Sequence, residues 1–282
     1  MPGAINGLAV CAGAGGLELG VRSLLGHAYR TIGYVERDAY AASRLVAQME
    51  AGRVDSAPLW DDITTFTGRR WRGCVDLISA GFPCQPWSVA GRQEGRDDPQ
   101  WIWPAIAKCI REVGPSVVFL ENVPGLIAGG GLGDVLGALD TLGFDAEWMQ
   151  LRADAVGAPH QRERVFLLAV AHAHLSRRTS KRGREILDAV RASSWDNTHR
   201  SCRPGAPGLF PPAPGDQSEW QELLAEYPER SPVLKSSLCR MVNGLAGRVD
   251  NRSAQLRVLG NGVGPIQAGV ALHILATRFG EE

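Results

Sequence analysis

Short β-branched or apolar runs alternate with longer segments of helical periodicity through the first 170 residues of this 282-residue chain. Five runs predict strands, at residues 5–10, 31–36, 75–80, 116–120 and 164–170. Four helices are predicted between them, at residues 16–25, 39–51, 104–113 and 132–142. This alternation is typical of a parallel sheet with helices on both faces. We therefore predict an α/β, Rossmann-like doubly wound fold, which binds ligands at the carboxyl edge of its sheet.

The segment from residue 171 to residue 233 breaks this alternation and is rich in Arg, Ser, Pro and Gly. Its charge is uneven, with eight Lys or Arg against three Asp or Glu over 172–204, and one against five over 205–230. A basic segment that faces phosphates and a solvated surface insert would both give this pattern. We expect a short irregular lobe at 171–233, between a domain at 1–170 and a C-terminal segment at 234–282.

A final helix is predicted to follow the triplet Gly260-Asn261-Gly262. Val263, Ile266, Val270 and Ile274 recur at helical spacing and form one apolar stripe. We expect this stripe to pack back on the sheet, which would return the C-terminal segment to the first domain.

Composition narrows the class of protein. No apolar run approaches the roughly 18 residues that a membrane-spanning helix needs, and residues 1–7 lack the basic start of a secretory signal. The six cysteines are scattered, with no CxxC pair and no Cys/His group at metal-finger spacing. We expect a cytoplasmic protein with no membrane contact, no metal site and no disulfide. The composition is also compatible with a monomer, which is our expectation.

A glycine-rich turn follows the first predicted strand, in the order Cys11-Ala12-Gly13-Ala14-Gly15-Gly16. Glycines let a ligand approach the backbone, and the helix that follows offers free N–H groups at its N-terminus. Position 18 is Glu, so the turn lacks the third glycine of the dinucleotide-binding pattern GxGxxG. The turn predicts a ligand site at this edge but disfavours a nicotinamide dinucleotide.

Two acidic residues follow later strands and could extend this site. Glu36 closes the second predicted strand about 20 residues after the turn, where a carboxylate can hold ribose hydroxyls. Asp62 could reach an adenine amino group from a third loop. Each has a structural alternative, which is a solvated strand end for Glu36 and the cap of a helix or turn for Asp62.

Cys84 lies in the string Gly81-Phe82-Pro83-Cys84-Gln85-Pro86-Trp87-Ser88, which follows the third predicted strand. A lone cysteine is more often part of a core, but these neighbours do not suit a buried, inert thiol. The string resembles the catalytic loop of the cytosine-5 DNA methyltransferases. Three further blocks of that family follow in the expected order: Glu121-Asn122-Val123, His160-Gln161-Arg162-Glu163-Arg164-Val165-Phe166 and Gly260-Asn261-Gly262-Val263-Gly264-Pro265.

The resemblance implies a class I methyltransferase that uses S-adenosylmethionine and acts on cytosine in double-stranded DNA, with 171–233 as its target-recognition lobe. Around the cofactor it implies Cys11, Gly13, Gly15, Gly16, Glu36, Asp62, Ile63, Pro83, Asn261 and Val263. Around the target base it implies Cys84, Glu121, Arg162 and Arg164. A cognate restriction endonuclease is a further partner that the family allows.

The family's chemistry explains these residue types. Cytosine C5 is a poor nucleophile, so a thiolate must first add to C6 and make an enamine whose C5 attacks the methyl group. Cys84 would supply the thiolate, and Arg162 or Arg164 could favour its ionised form. Glu121 would bond the N3 edge of the base and hold a proton there, while Arg164 would contact the base oxygen. A stacked base is out of reach, so it must flip into the pocket.

The chain departs from the family pattern at two positions. Cys11 stands where the family usually has a Phe beside the adenine, and His160 stands where it commonly has Gln. Three alternatives remain, namely a relative that methylates cytosine in tRNA, a catalytically silent DNA-binding protein and a nicotinamide dehydrogenase. The last is disfavoured because it gives the Cys84 loop no role.

Overall fold

The computed structural model describes residues 3–83, 95–158, 160–172, 180–193 and 262–279, together with positions 218, 221, 222 and 225. Cys84, Asn261 and most of the predicted lobe lie outside the described residues. The predictions made for them therefore stay predictions.

The described ranges contain seven strands, seven α-helices and four short 3-10 helices. The strands are β1 Ile5–Val10, β2 Tyr29–Val35, β3 Leu59–Trp60, β4 Leu77–Gly81, β5 Val117–Asn122, β6 Phe144–Arg152 and β7 Glu163–Ala171. The helices are α1 Gly16–Leu25, α2 Ala39–Glu50, α3 Trp103–Val113, α4 Gly125–Ala128, α5 Gly131–Thr141, α6 Lys181–Ala192 and α7 Pro265–Arg278.

The strands form one sheet in the order β3-β2-β1-β4-β5-β7-β6. Strands β1 to β5 are mutually parallel, so the α/β Rossmann-like class predicted from the sequence is confirmed. The sheet is mixed rather than parallel throughout, because β7 runs antiparallel to both β5 and β6. The link between β6 and β7 contains only residues 153–162, which is too short for the crossover that a parallel pair requires.

Two strands, β3 and β6, were not predicted. β3 has only two residues, which is too short to give a periodic pattern. β6 lies at the sheet edge and buries Phe144 alone among its nine residues, so its charged residues are interleaved with apolar ones and no apolar run marks it.

Helices cover both faces of the sheet. On one face, α3, α4 and α5 pack over a cluster that includes Ile106, Leu126 and Leu139. On the other face, α1, α6 and α7 share a cluster with the inner residues of β5 and β7. Helix α6 lies within the segment expected to be irregular, yet it buries Ile186, Leu187 and Val190 in this second cluster. The first part of that segment therefore packs with the core, and most of the rest of the proposed lobe lies outside the described residues.

Helix α7 returns to the sheet as predicted, but through a different face. Its buried residues include Ala268, Ala271, Leu272, Leu275 and Ala276, whereas the predicted stripe of Val263, Ile266, Val270 and Ile274 is only half-buried. The helix is apolar on most sides, so large side chains alone do not identify its inner face. The inner face is the one that carries the small residues, because α7 lies very close to α1 there: a Cβ at Gly20 of α1 would come within 2.7 Å of the Cβ of Ala268. Small residues on both helices permit this close approach.

No helix in the described ranges is long and apolar enough to span a membrane.

Candidate active site

The described site residues gather at the carboxyl edge of the parallel strands. Cys11 follows β1, Glu36 follows β2, Asp62 follows β3, Pro83 follows β4 and Glu121 lies near the end of β5. Parallel strands end at the same edge, and the loops that leave it form the crevice where such sheets bind ligands. The fold therefore brings predicted residues from five separate strands to one place.

Glu121 and Arg164 form a buried ion pair at this edge. Glu121 is 7% exposed, and its Oε1 lies 2.7 Å from Nε of Arg164, which is also buried. Burial raises the pKa of Glu121 from an ordinary 4.5 to about 7, against the opposing effect of Arg164 and Arg162. A carboxyl group with this pKa exchanges its proton near neutral pH, as a general acid requires.

Gly81 makes room for this carboxylate. In the ladder between β4 and β5, Gly81 pairs with Glu121, and a Cβ at Gly81 would lie 3.2 Å from the Oε2 atom of Glu121. That distance is tight for a carbon and an oxygen. Glycine at position 81 therefore lets the carboxylate stand over the end of β4, at the start of the loop that leads to Cys84.

Asn122 anchors the same loop, a role that the sequence reasoning missed. Its Nδ2 donates to the backbone oxygen of Phe82 at 3.1 Å, and its Oδ1 accepts from the N–H of Val123 at 2.9 Å. Phe82 is itself buried against Trp101 and Trp103. The position of Asn122, directly after Glu121 at a strand end, was the available indication, because a buried amide there must find partners.

Arg162 lies just before β7, and its backbone oxygen accepts a hydrogen bond from Ala153 N at 2.9 Å. Its charge acts on Glu121 in the same direction as that of Arg164. The predicted cluster of Glu121, Arg162 and Arg164 therefore comes together in the structure. Cys84, its fourth member, lies outside the described residues.

The glycine turn adopts a backbone that only certain residues tolerate. Gly13 has φ 55° and Gly15 has φ 81°, both in the left-handed region that favours glycine. Cys11 has φ 52°, which is uncommon for a residue with a side chain. A Cβ at Gly13 would meet no atom within 4 Å, so the turn is open on that side. The turn then feeds directly into α1, which begins at Gly16.

Glu36 ties the turn to the loop after β2. Its Oε2 accepts from Gly13 N at 2.7 Å, and its Oε1 accepts from Asp38 N at 2.7 Å. These bonds fix the carboxylate at the rim of the turn and exclude the solvated strand end that was its structural alternative. Carboxylate oxygens have further lone pairs, so Glu36 can still accept from ligand hydroxyls.

Asp62 serves the turn after β3. Its Oδ1 accepts from both the N–H and the hydroxyl of Thr64 at 2.8 Å, and these bonds lower the pKa of its carboxyl. The structural alternative of a turn cap therefore holds, and the Oδ2 atom remains outside this turn. Ile63 is buried in the core with Phe66, so its side chain supports the loop from beneath.

Cys11 is a poor nucleophile in this position. Burial raises the pKa of its thiol, and the negative charges of Glu36 and Asp62 raise it further. Two carboxylates thus lie close enough to influence Cys11, which links the loops after β1, β2 and β3 in one electrostatic environment.

Gly16 and Val263 meet where the first and last helices begin. A Cβ at Gly16 would overlap the backbone oxygen of Val263, so a side chain at position 16 would separate the two segments. Pro83 is half-buried at the same edge. Val263 therefore lies beside the glycine turn, while Asn261 lies outside the described residues.

Glu18 is a buried acid that the sequence reasoning treated only as a missing glycine. Its Oε1 accepts from the Ser79 hydroxyl at 2.7 Å, and burial raises the pKa of its carboxyl. Its Oε2 has no hydrogen-bond partner among the described residues. A protonated carboxyl group is consistent with such surroundings.

The described residues at the glycine turn fit a nucleoside cofactor. The turn is open beside Gly13, α1 begins immediately after it, and Glu36 and Asp62 supply carboxylate oxygens that accept from hydroxyl or amino groups. Among the described residues, no group of three or more His, Cys, Asp or Glu could hold a metal ion.

Comparison with known proteins gives one family. Residues 5–199 match the family model described as C-5 cytosine-specific DNA methylase. The Type II methyltransferase M.CviJI of Paramecium bursaria Chlorella virus IL3A is 29% identical over 199 residues, which are 70% of this chain and 50% of that protein. M.NgoMIV of Neisseria gonorrhoeae is 28% identical over 204 residues, 68% of this chain and 63% of that protein.

A third relative, M.PspPI of Psychrobacter sp. (strain TA137), is 34% identical over 164 residues, which are 56% of this chain and 38% of that protein. The chain therefore spans less than two thirds of the length of each of these relatives.

Proposed function

Because this chain belongs to the C-5 cytosine-specific DNA methylase family, we propose that it transfers a methyl group from S-adenosylmethionine to C5 of cytosine in duplex DNA. The observation that carries the proposal is the buried pair of Glu121 and Arg164 beside the loop that leads to Cys84. Burying a carboxylate and a guanidinium is costly unless they are paired. A pair with only a structural role could lie anywhere in the core, whereas this one lies at the edge of the sheet where ligands bind. A role in recognising a base accounts for its position.

Cys84 is the nucleophile in this proposal. Its thiolate would add to C6 of the cytosine while N3 takes a proton, which gives an enamine whose C5 attacks the methyl group and releases S-adenosylhomocysteine. Loss of the C5 proton to water would then let the C6–S bond break and return the thiolate, while N3 gives up its proton. Phe82, two residues before Cys84, is held by the side chain of Asn122, which fixes the base of the loop.

Glu121 has the proton affinity that the first step needs. As sulfur adds to C6, negative charge develops at N3, and a protonated carboxyl group beside N3 can neutralise it. With a pKa of about 7, Glu121 holds this proton in a substantial fraction of molecules at neutral pH. Arg164 shares the pocket: its Nη1 donates to the backbone oxygen of Glu163 at 2.8 Å, and its Nη2 can donate to the base oxygen.

The cofactor supplies an electrophilic methyl group when it is bound. The glycine turn would approach it through its backbone, Glu36 would accept from the ribose hydroxyls, and Asp62 and Ile63 would border the adenine. Val263 and Asn261 would close the side formed by the start of α7. Pro83 would separate this site from the base pocket.

The DNA contacts are proposed for the segment at 171–233, between the catalytic domain at 1–170 and the returning segment at 234–282. Its excess of basic residues over 172–204 suits contacts with phosphates, and the target cytosine would flip out of the duplex to reach Cys84.

The experiment combines methyl transfer with trapping of the covalent adduct. The purified protein is incubated with methyl-labelled S-adenosylmethionine and duplex DNA of varied sequence, and methylated positions are mapped by bisulfite sequencing. The proposal expects label at cytosine C5 with the wild type and none with Cys84→Ser. A duplex that carries 5-fluorocytosine at a mapped position should give an adduct stable to denaturation.

Two outcomes would overturn the proposal. Label in tRNA but not in any duplex would assign the activity to RNA. A folded protein that binds the cofactor yet leaves cytosine unmodified in both nucleic acids, and forms no adduct, would make the chain a binding protein.

A further inference from the structure

Gln267, in the first turn of α7, is a polar residue buried within an apolar helix face. Its side chain is 2% exposed, and its neighbours on the inner face include Ala268, Ala271 and Leu272. A buried carboxamide among apolar residues is costly unless its hydrogen bonds are satisfied. Its position therefore calls for specific partners.

Those partners lie at the mouth of the hairpin formed by β6 and β7. The Nε2 atom of Gln267 donates to the backbone oxygen of Leu151 at 2.8 Å and to that of Arg162 at 3.1 Å. Leu151 is near the end of β6 and pairs with Arg164, while Arg162 directly precedes β7. One amide nitrogen of α7 thus acts as a clamp that holds together the end of β6 and the residue that precedes β7, two residues before Arg164.

The clamp acts on the backbone that carries both arginines of the site. The backbone oxygen of Arg162 accepts from Ala153 N as well as from Gln267, so its direction is fixed from two sides. Arg164 follows two residues later and pairs with Glu121. A shift of the Arg162 carbonyl would move the start of β7 and with it the guanidinium of Arg164.

The same helix turn contacts the glycine turn of the cofactor site. The Val263 oxygen lies against Gly16, and the Pro265 oxygen lies 2.7 Å from where a Cβ of Gly20 would be. Val263 and Pro265 precede Gln267 by four and two residues. The start of α7 therefore touches the cofactor side through its backbone and the base side through a single side chain. This helix lies beyond the residues that match the family model.

We propose that Gln267 is a positioning residue that couples binding of the cofactor to binding of the target cytosine, by clamping the strand that carries Arg162 and Arg164 to the helix that borders the glycine turn. The inference rests on the proposed function. Cofactor binding orders the glycine turn and the start of α7. Through the hydrogen bonds of Gln267, the start of β7 is then held in one position, and the two arginines bind DNA more tightly. Thermodynamic linkage makes the effect reciprocal, so bound DNA raises the affinity for the cofactor by the same factor.

The carboxamide is the group that the site requires. Gln places two N–H groups on one nitrogen and satisfies two carbonyl oxygens, whereas Met keeps the length of the side chain and donates nothing. A Glu in its ionised form turns lone pairs toward both carbonyls, but a protonated Glu can donate to one of them. The two substitutions therefore differ in a way that pH can reveal.

The test measures the coupling factor, which is the ratio of the dissociation constants for duplex DNA without and with saturating S-adenosylhomocysteine. Binding needs no turnover, so this measurement is separate from the test of methyl transfer. Reciprocal effects of this kind are typically about 5-fold to 150-fold, and we expect the wild type to fall in that range. Gln267→Met should bring the factor to about 1 and raise the KM for DNA, with a smaller change in kcat.

Gln150→Met is the matched control, because Gln150 is exposed on β6 near the same hairpin. It should keep the wild-type coupling factor. Gln267→Glu should recover part of the coupling as the pH falls, a dependence that Gln267→Met should lack.

Two results would overturn the inference. One is a Gln267→Met protein of reduced stability that keeps the wild-type coupling factor and KM, since that leaves Gln267 only a structural role. The other needs no variant: hydrogen exchange in residues 150–166 of the wild type should slow when S-adenosylhomocysteine binds, and unchanged exchange there would contradict the coupling even if both substitutions prevented folding.

Discussion

Glu121 Oε1 lies 2.7 Å from Arg164 Nε, although the residue paired with Glu121 in the β5–β7 ladder is Phe166. Arg164 and Phe166 are two residues apart, so their side chains leave the same face of β7. The aromatic ring packs in parallel with Phe119 beneath the pair, with centroids 6.0 Å apart. The antiparallel course of β7 thus brings a guanidinium from the start of one strand to a carboxylate at the end of another.

Replacing Glu121 by Gln should remove the exchangeable proton while preserving the size of the side chain. We expect kcat for methyl transfer to fall by about 100-fold or more, since general acids typically contribute 10²-fold to 10⁴-fold. Binding of S-adenosylhomocysteine should change little. Glu147→Gln, at an exposed position of β6, is the control. Equal rates of methyl transfer for the two variants would show that Glu121 does not act as the general acid.

The stability of the free protein should depend on pH through Glu121. Well below its ordinary pKa of 4.5, the group is protonated in both states, and well above its raised pKa of about 7 it is ionised in both. Between these values the unfolded chain releases a proton that the folded protein keeps, so stability falls as pH rises. The loss from a shift of this size is roughly 3 kcal/mol.

Urea unfolding of wild type and Glu121→Gln between pH 4 and pH 8 measures this effect. The wild type should lose free energy of unfolding relative to the variant as pH increases through this window, and the difference should level off above pH 7. A constant difference across the range would contradict the raised pKa of Glu121.

A methyl group at position 81 should disturb the base pocket more than the fold. Gly81→Ala would place a carbon 3.2 Å from Glu121 Oε2, so the carboxylate must shift by a few tenths of an ångström relative to Arg164. We expect at least a tenfold loss of kcat, consistent with the sensitivity of catalysis to small misplacements. Gly137→Ala, in α5 with nothing near its Cβ, should retain activity and gain up to about 1 kcal/mol of stability.

A substitution at Asn122 can distinguish the two hydrogen bonds that its side chain makes. Asn122→Asp keeps an oxygen that can accept from Val123 N but loses the N–H that donates to Phe82 O. We expect a loss of about 1–3 kcal/mol in the free energy of unfolding, because the Phe82 oxygen is left without its partner. The rate of adduct formation with 5-fluorocytosine DNA should also fall. An adduct rate equal to that of the wild type would mean that the Cys84 loop is held by other contacts.

Gly16→Ala should weaken the cofactor site and the joint between the first and last helices together. The added Cβ would overlap the Val263 oxygen, a backbone atom that cannot rotate away. Overpacking of this kind typically costs about 1–3 kcal/mol. Calorimetry should show weaker binding of S-adenosylhomocysteine and thermal unfolding a lower midpoint, whereas Gly133→Ala, with open space at its Cβ, should show neither change. Unaltered cofactor affinity in Gly16→Ala would place the cofactor away from this joint.

The sequence predicted the parts of this protein that depend on local pattern. Runs of apolar residues gave β1, β2, β4, β5 and β7 within about two residues, and the Cys84 string gave the family. It could not predict the direction of β7, because that direction follows from the short link to β6, an edge strand that the sequence did not predict. The inner face of α7 was also misjudged, since the close approach of Gly20 and Ala268 favours small residues over large ones.

Interactions between distant segments were beyond sequence reasoning for the same cause. The bond of Asn122 to Phe82 spans 40 residues, and those of Gln267 span more than 100. Neither residue has a pattern of its own that names its partner. Glu36 was partly predictable. Its spacing from the glycine turn predicted its place at the edge of the sheet, but not its hydrogen bonds to Gly13 and Asp38.

The close packing of α7 on α1 has a practical consequence for anyone who shortens this protein. A version trimmed at residue 199, where the family match stops, would lack α7 and expose apolar residues of the cluster that it shares with α1 and β7, which favours aggregation. Supplying residues 200–282, which include α7, as a separate fragment offers a route to a split enzyme, in which reassembly of the two pieces would switch catalysis on.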